Sequence, residues 1–325
     1  MDQLANKLFK PGFNCWRTEK ADHASVIVDY GNYYRDLHEA ISQAKHSIFL
    51  LGWDIDSRME LLRGEEAEKN PRPHVFFDLI QQKARENPNL MIYLDRWNYS
   101  MFFLKDRESL SEYHWRWSSP PNVHFCLDTI IPYGACHHQK IAVIDDSVAF
   151  CGGMDVALGR WDFREHHPHN HLRKDPGGTF TFYKEKHFGP YHDIMISVSG
   201  GAARALAELA RTRWKLAAGF DAIPLRAPEP GLPSAWPASD PPDFYNAEVA
   251  ISLTVPPMYD TPPIRQAEHM YIDLIEEAEN FIYMENQFFS HVPLAEALKK
   301  RLIEKPNLRV LMMSCFEPQG IMEKK

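Results

Sequence analysis

The apolar positions of this chain fall into short unbroken runs separated by amphipathic stretches, the alternation expected of an α/β protein. Ile141-Ala142-Val143-Ile144 is one such run, and its continuity predicts a strand buried on both faces. Asp145-Asp146-Ser147 then reads as a tight turn. Val148-Ala149-Phe150-Cys151 reads as the returning strand of a hairpin, which brings Gly152-Gly153 back beside the start of the first strand. If that strand is extended backwards, alternation puts His138 and Lys140 on one face and Gln139 on the other. Asp145 stands seven residues from His138, at the strand's far end. Strand geometry does not aim it at the same point, so it reads as an orienting or scaffold carboxylate.

The same pattern occurs twice elsewhere. Asp36 to Ala44 forms an amphipathic helical stretch running into the buried strand that ends at Leu51, before Gly52-Trp53-Asp54. Asp273 to Ala278 runs likewise into the strand that ends at Met284, before Glu285-Asn286-Gln287. Each is followed by a helical segment and a Pro-Asn-Leu entry to another apolar strand, at Pro88 and at Pro306. Ala44 and Ala278 are offset by 234 residues, and the two prolines by 218. Such self-similarity marks a duplicated unit. In the first copy His138 follows Pro88 by 50 residues, whereas no H-x-K follows Pro306. The sequence therefore predicts one lobe over residues 1–223, a proline-rich linker or crossover over 224–263, and the beginning of a second, incomplete lobe over 264–325. A truncated record or completion by another chain would each explain the incompleteness.

Composition narrows the picture without changing it. With 325 residues, 44% hydrophobic and 25% charged, the chain can form one large or two medium globular domains. A net charge of −8 argues against nonspecific nucleic-acid binding, whose footprint is usually basic. No run of apolar residues is long enough to span a bilayer and the N-terminus lacks a signal layout, so a cytoplasmic location with possible peripheral membrane contact is expected. Five scattered cysteines, Cys15, Cys126, Cys136, Cys151 and Cys315, suit free thiols. Neither Cys136-His137-His138 nor the run His166, His167, His169 and His171 has recognised ligand spacing, and the latter reads as a surface loop. No metal and no cofactor are expected. The aromatic segment from Trp97 to Phe103, with Tyr113, Trp115 and Trp117, and the linker residues Trp236, Phe244 and Tyr245, read first as core packing and second as lipid contacts.

The stretch from His138 to Asp155 carries chemistry. Phosphodiester displacement needs a nucleophile in line, neutralised nonbridging oxygens and an acid for the leaving group. A neutral imidazole at His138 supplies the first without a metal, through a covalent phosphohistidine, and Lys140 supplies the second. Gly152 and Gly153 read as a bed where phosphate oxygens approach backbone N–H groups, with Asp155 as a hydrogen-bonding neighbour. The acid is absent from this stretch.

The spacing H-x-K-x4-D-x6-G-G-x-[ND] resembles the signature of the phospholipase D superfamily. Gly159-Arg160-Trp161-Asp162, the segment His192-Asp193 to Gly200, and Ile282-Tyr283-Met284-Glu285-Asn286-Gln287-Phe288-Phe289 are similar to blocks of those enzymes. The resemblance implies a phospholipase D-like fold, with a mixed, mostly parallel sheet flanked by helices, followed by the start of a second such lobe. It implies a phosphodiesterase or phosphatidyltransferase acting on glycerophospholipids. The catalytic residues would be His138, Lys140 and Asp145, with Gly152, Gly153, Asp155, Asn286 and Gln287 toward substrate. A second H-x-K histidine, from a further part of the protein or another chain, would protonate the leaving alcohol. The cardiolipin synthase and nuclease branches, and a catalytically incompetent half-protein that binds headgroups or a partner, stand as alternatives.

Overall fold

The computed structural model describes residues 7–98, 108, 110–132, 134–175, 186–227, 233–258 and 262–314. The chain divides into two compact units, one of Glu19–Val249 and one of Met1–Thr18 with Ala250–Lys325.

The larger unit is organised by an eight-stranded sheet. Its strands are β1 (Arg17–Val28), β2 (Ser47–Gly52), β3 (Met91–Trp97), β4 (Val123–Asp128), β5 (Ile141–Ile144), β6 (Val148–Gly152), β9 (Ile194–Ser199) and β10 (Phe244–Ile251), while β7 (Lys174–Asp175) and β8 (Lys186–His187) form a separate two-stranded ribbon. The order is β10-β1-β9-β6-β5-β2-β3-β4. Every residue of β2 and β5 is buried, as their unbroken apolar runs predict. The helices of this unit are α1 (Tyr30–Gln43), α2 (Glu65–Lys69), α3 (Phe76–Glu86), α4 (Ser111–Ser118) and α5 (Gly200–Ala218). The α/β expectation holds, with a central mixed sheet, but its parallel part is smaller than expected. The pairs β2–β3 and β3–β4 are parallel, while β2–β5, β5–β6, β6–β9 and β1–β9 are antiparallel. The reason is the β5–β6 hairpin, which reverses the chain at the middle of the sheet.

That hairpin turns where the aspartates predict. Asp145 and Asp146 both adopt left-handed backbone, with φ of 53° and 57°, and the Ser147 N–H donates to the Ile144 carbonyl at 3.0 Å. Asx residues tolerate this conformation and match the twist of a hairpin. Arg211 of α5 grips Asp146 with two parallel bonds of 2.8 and 2.9 Å, fixing the turn to the helix that covers the sheet.

The smaller unit contains β11 (Thr254–Val255), β12 (Ile264–Arg265), α6 (Gln266–Glu277), β13 (Phe281–Glu285), α7 (Val292–Glu304) and β14 (Arg309–Met313). The duplication read from the sequence has a geometric counterpart here. β13 and β14 are parallel with Phe281 opposite Arg309, and β2 and β3 are parallel with Ser47 opposite Met91. Residues 281 and 309 are positions 47 and 91 shifted by the same offsets of 234 and 218 that align the sequences. The bond from Met91 N–H to the His46 carbonyl has its equivalent in Arg309 to Asn280. Ile275, Ile282, Leu298 and Leu308 form the core of this unit. Phe281, Tyr283, Leu311 and Met313 are half-exposed.

The unit boundary differs from the expected linker. Trp236 and Ala235 are buried in the core of the larger unit, and Ser25 and Ser197 donate to Asp240 at 2.6 and 2.9 Å. Residues 233–249 are thus part of the first unit rather than a connector. Phe244 and Tyr245 are exposed. Trp115 is buried whereas Tyr113 and Trp117 are exposed; Tyr99 to Phe103 lie outside the described residues, as does Cys315. The other four cysteines are free thiols. No helix among the described residues is long and apolar enough to cross a membrane.

Candidate active site

His138 and Lys140 lie in the segment that enters β5, three residues and one residue before the first paired residue, Ile141. The Lys140 carbonyl still accepts the Gly152 N–H at 3.3 Å, which ties this segment to β6 just ahead of the ladder. Lys140 is buried, and its ammonium meets the carboxylate of Asp155 at 3.1 Å. Nζ also donates to the His138 carbonyl at 3.2 Å. Among the described residues, two of its three protons therefore have partners, and the third remains for a ligand.

Asp155 is equally withdrawn from solvent. One oxygen accepts the Trp53 N–H at 2.9 Å; the other takes Lys140 and, at 3.5 Å, Arg160. Arg160 also donates to the Tyr30 hydroxyl at 3.1 Å, and its guanidinium lies over the Trp53 ring at 5.8 Å. The excess negative charge that an aspartate brings to this position is thus countered within one unit by two cations. The geometry makes Asp155 a counter-ion and positioning group for Lys140 rather than an open substrate contact.

His138 is exposed at the surface, with its ring edge-on to Trp53 at 6.1 Å. Desolvation, and then the charge of Lys140, push its pKa down to about 4, against a smaller opposing effect of Asp155. The imidazole is therefore neutral at pH 7, with a lone pair available. Desolvation also lowers the pKa of Lys140, opposed by Asp155.

The glycines also serve packing. A Cβ on Gly152 would lie 2.5 Å from the Ile194 carbonyl and 2.8 Å from the Met195 Cα, and one on Gly153 would overlap the Asp193 carboxylate. Both positions are filled by β9 and its approach. Gly152-Gly153 thus permits close strand packing, which brings Asp193 beside the site. Burial raises the pKa of Asp193, opposed by its bond from Ile194 and by Arg160, Lys140 and His192.

Asp145 sits at the opposite end of β5, roughly 15 Å along a strand of this length, and does not share the Lys140 environment. Its carboxylate accepts the N–H groups of Lys45, His46 and Ser47 at 2.9, 2.7 and 2.9 Å, holding the entry of β2 against the hairpin. These three bonds engage both carboxylate oxygens in a structural contact. Asn286 and Gln287 belong to the other compact unit; Asn286 Oδ1 accepts the Phe288 N–H at 2.9 Å, an Asx turn closing β13.

Sequence reasoning missed the functions of Arg160, Trp53, Tyr30 and Asp193. Arg160 and Asp193 stood in blocks similar to those of the family, but nothing in the sequence paired them with Asp155 or Gly153. Trp53 and Tyr30 come from distant segments and leave no local spacing.

Residues 127–295 match the sequence model of the phospholipase D family. A phospholipase D alpha 1 from Vigna unguiculata is 27% identical over 79% of this chain and 39% of its own length. Phospholipase D A from Dictyostelium discoideum is 25% identical over 95% of this chain and 26% of its own length. The chain therefore spans about two-fifths or less of the length of these relatives. The crystal structure of a phosphatidylserine synthase from Haemophilus influenzae superposes with a TM-score of 0.52 at 12% identity, over 96% of this chain and 65% of that one, a likeness of fold. With its H-x-K histidine and lysine at the mouth of β5 and over half its length inside the family match, the chain belongs to the phospholipase D family.

Proposed function

We propose that this chain provides the nucleophilic half of a phospholipase D-type site that hydrolyses or transfers the headgroup of glycerophospholipids. A ring nitrogen of His138 attacks phosphorus, and the bond to the headgroup oxygen breaks. That oxygen takes a proton from a general acid, leaving a phosphohistidine. Water or another alcohol then attacks phosphorus and gives its proton back to the group that served as the acid, the P–N bond breaks, and neutral imidazole is restored. Lys140, with one proton unclaimed, holds a nonbridging oxygen throughout. The observation that carries this reading is the pairing of a neutral, exposed His138 with a lysine fixed by Asp155 and Arg160.

The structure does not assign the acid to a described residue. The family resemblance assigns it to a second H-x-K histidine, from further sequence or another copy. The half-exposed Phe281, Tyr283, Leu311 and Met313 of the smaller unit support additional structure packing there. A lipid substrate is supported by relatives named phospholipase D and by the acidic net charge, which disfavours nucleic acid. The test is headgroup release from phosphatidylcholine and phosphatidylserine vesicles, with cardiolipin synthesis and DNA cleavage screened in parallel. Release that His138→Ala abolishes supports the proposal; release unchanged by it refutes the nucleophile. Vesicle binding without turnover would favour the headgroup-binding alternative.

A further inference from the structure

Beside the phosphate-directed groups lies a cluster that the chemistry above does not use. Asp29 precedes α1 and is fully buried, His166 lies in the loop after Asp162, and His192 leads into β9. Their ligand-type atoms all lie within 4.8 Å of one another. We propose that Asp29, His166 and His192 form a binding site for a transition-metal dication of the zinc class, structural rather than catalytic.

The argument starts from His166. Its Nδ1 lies 2.9 Å from Asp162 Oδ2, so the ring donates there and its Nε2 lone pair points elsewhere. It points at Asp29 Oδ2, 3.4 Å away, and that oxygen is buried with no hydrogen bond among the described residues. Two acceptors thus face each other, an arrangement that a bound cation between them would satisfy. With zinc–ligand bonds of about 2.0–2.2 Å, neighbouring donors of a tetrahedral ion are separated by roughly 3.3–3.5 Å. The 3.4 Å between His166 Nε2 and Asp29 Oδ2 falls in that range. His192 Nδ1 lies 2.6 Å from Asp29 Oδ1; moving its ring proton to Nε2 frees Nδ1 as the third ligand. Both histidines are about one-third exposed, at 31% and 39% of their side chains, which leaves an entry path and room for a water.

The surroundings are those of a metal site. Asp162, which orients His166, is itself held by the buried Arg173 at 3.2 and 3.1 Å and by the Tyr191 N–H at 3.1 Å. A histidine fixed through its second nitrogen by a carboxylate is the usual support of a zinc ligand. Two imidazoles and one carboxylate select zinc-class ions over calcium or magnesium. The histidine-rich loop therefore contributes one member to a trio that no local spacing announces. An ion here would tie the start of α1 to the segment carrying Arg160 and to the neighbour of Asp193, holding both groups in place around Lys140.

The test is titration of the chelator-stripped chain with zinc chloride by calorimetry, alongside cobalt substitution read by visible absorption. The expected result is one equivalent of zinc, a tetrahedral cobalt spectrum, and loss of both in His166→Ala and in His192→Ala. His169→Ala, in the same loop, should bind as the unaltered chain does, and Asp162→Asn should weaken binding by about 10–100-fold. Should His166→Ala fail to fold by circular dichroism, His166→Gln keeps a donor toward Asp162 and decides the matter. Absence of saturable zinc binding by the unaltered chain overturns the proposal, as does binding that survives both histidine substitutions, which would assign the ion to the free thiols.

Discussion

Lys140 Nζ and Asp155 Oδ2 are 3.1 Å apart, with 4% and 0% of their side chains exposed. Removing one member of a buried pair leaves the other uncompensated, at a cost of about 3–5 kcal/mol. Asp155→Asn strands both Lys140 and Arg160 and should lose stability in that range. Lys140→Met leaves Asp155 paired with Arg160 and should cost less, about 1–3 kcal/mol. Denaturant melts of the single and double variants check this: the double variant should be more stable than additivity predicts, by about 1–3 kcal/mol. Strict additivity would show that the pair is not coupled.

Asp145 should behave as a scaffold residue. Asp145→Ala orphans three backbone N–H groups at the entry of β2 and puts alanine at a φ of 53°, so a loss of about 3 kcal/mol or more is expected. Asp145→Asn, which tolerates that backbone and keeps one acceptor, should lose less. The His138 ring should titrate unchanged in the folded fraction of either variant. A displaced His138 titration with intact stability would tie Asp145 to the chemistry.

The glycine pair should respond to packing. Gly153→Ala collides with the Asp193 carboxylate and should destabilise by about 1–3 kcal/mol. Adding Asp193→Ala removes the colliding atoms and should recover most of the loss in thermal melts. Failure of that rescue would mean that Gly153 is required for its backbone.

His138 sets a pH dependence. Its folded pKa is depressed to about 4, below the ordinary 6.5 or so, so the unfolded chain binds the extra proton between these values. The stability linked to this group is present above pH 6.5 and lost as pH falls toward 4. Nuclear magnetic resonance of the imidazole should show a neutral ring at pH 6 and a midpoint near 4. Relative to His138→Gln, the unaltered chain should lose stability on acidification through that window. A midpoint near 6.5 would contradict the environment described.

Much of the architecture was legible because it is written in short-range pattern. The apolar run at Ile141–Ile144 and the paired aspartates after it predict the β5–β6 hairpin, and the repeated Pro-Asn-Leu predicts a duplicated helix-strand unit. The spacing of Asp145 from His138 places it at the far end of the strand from the reactive pair. What was not legible depends on contacts between distant segments. The close approach of β9 to the glycines was hidden because nothing in the sequence says that it crosses there. Arg160, the counterpart that permits an aspartate at position 155, is in plain view but has no pattern pointing at its partner. Trp236 looked like part of a linker because proline content hides that residues 233–249 pack into the first unit.

The most direct test of the central claim is covalent trapping on His138. A short-chain phosphatidyl p-nitrophenol carries a leaving group that departs without a general acid, so the half-site can react alone. Mixing it with the chain should release a burst of nitrophenol and leave a phosphatidyl adduct that peptide mass spectrometry locates on His138. His138→Ala should give neither, and Lys140→Met should slow the burst by about 100-fold or more, the scale of losing one charge-stabilising group. A folded chain that binds the lipid but forms no adduct, or an adduct that persists in His138→Ala, would contradict the account.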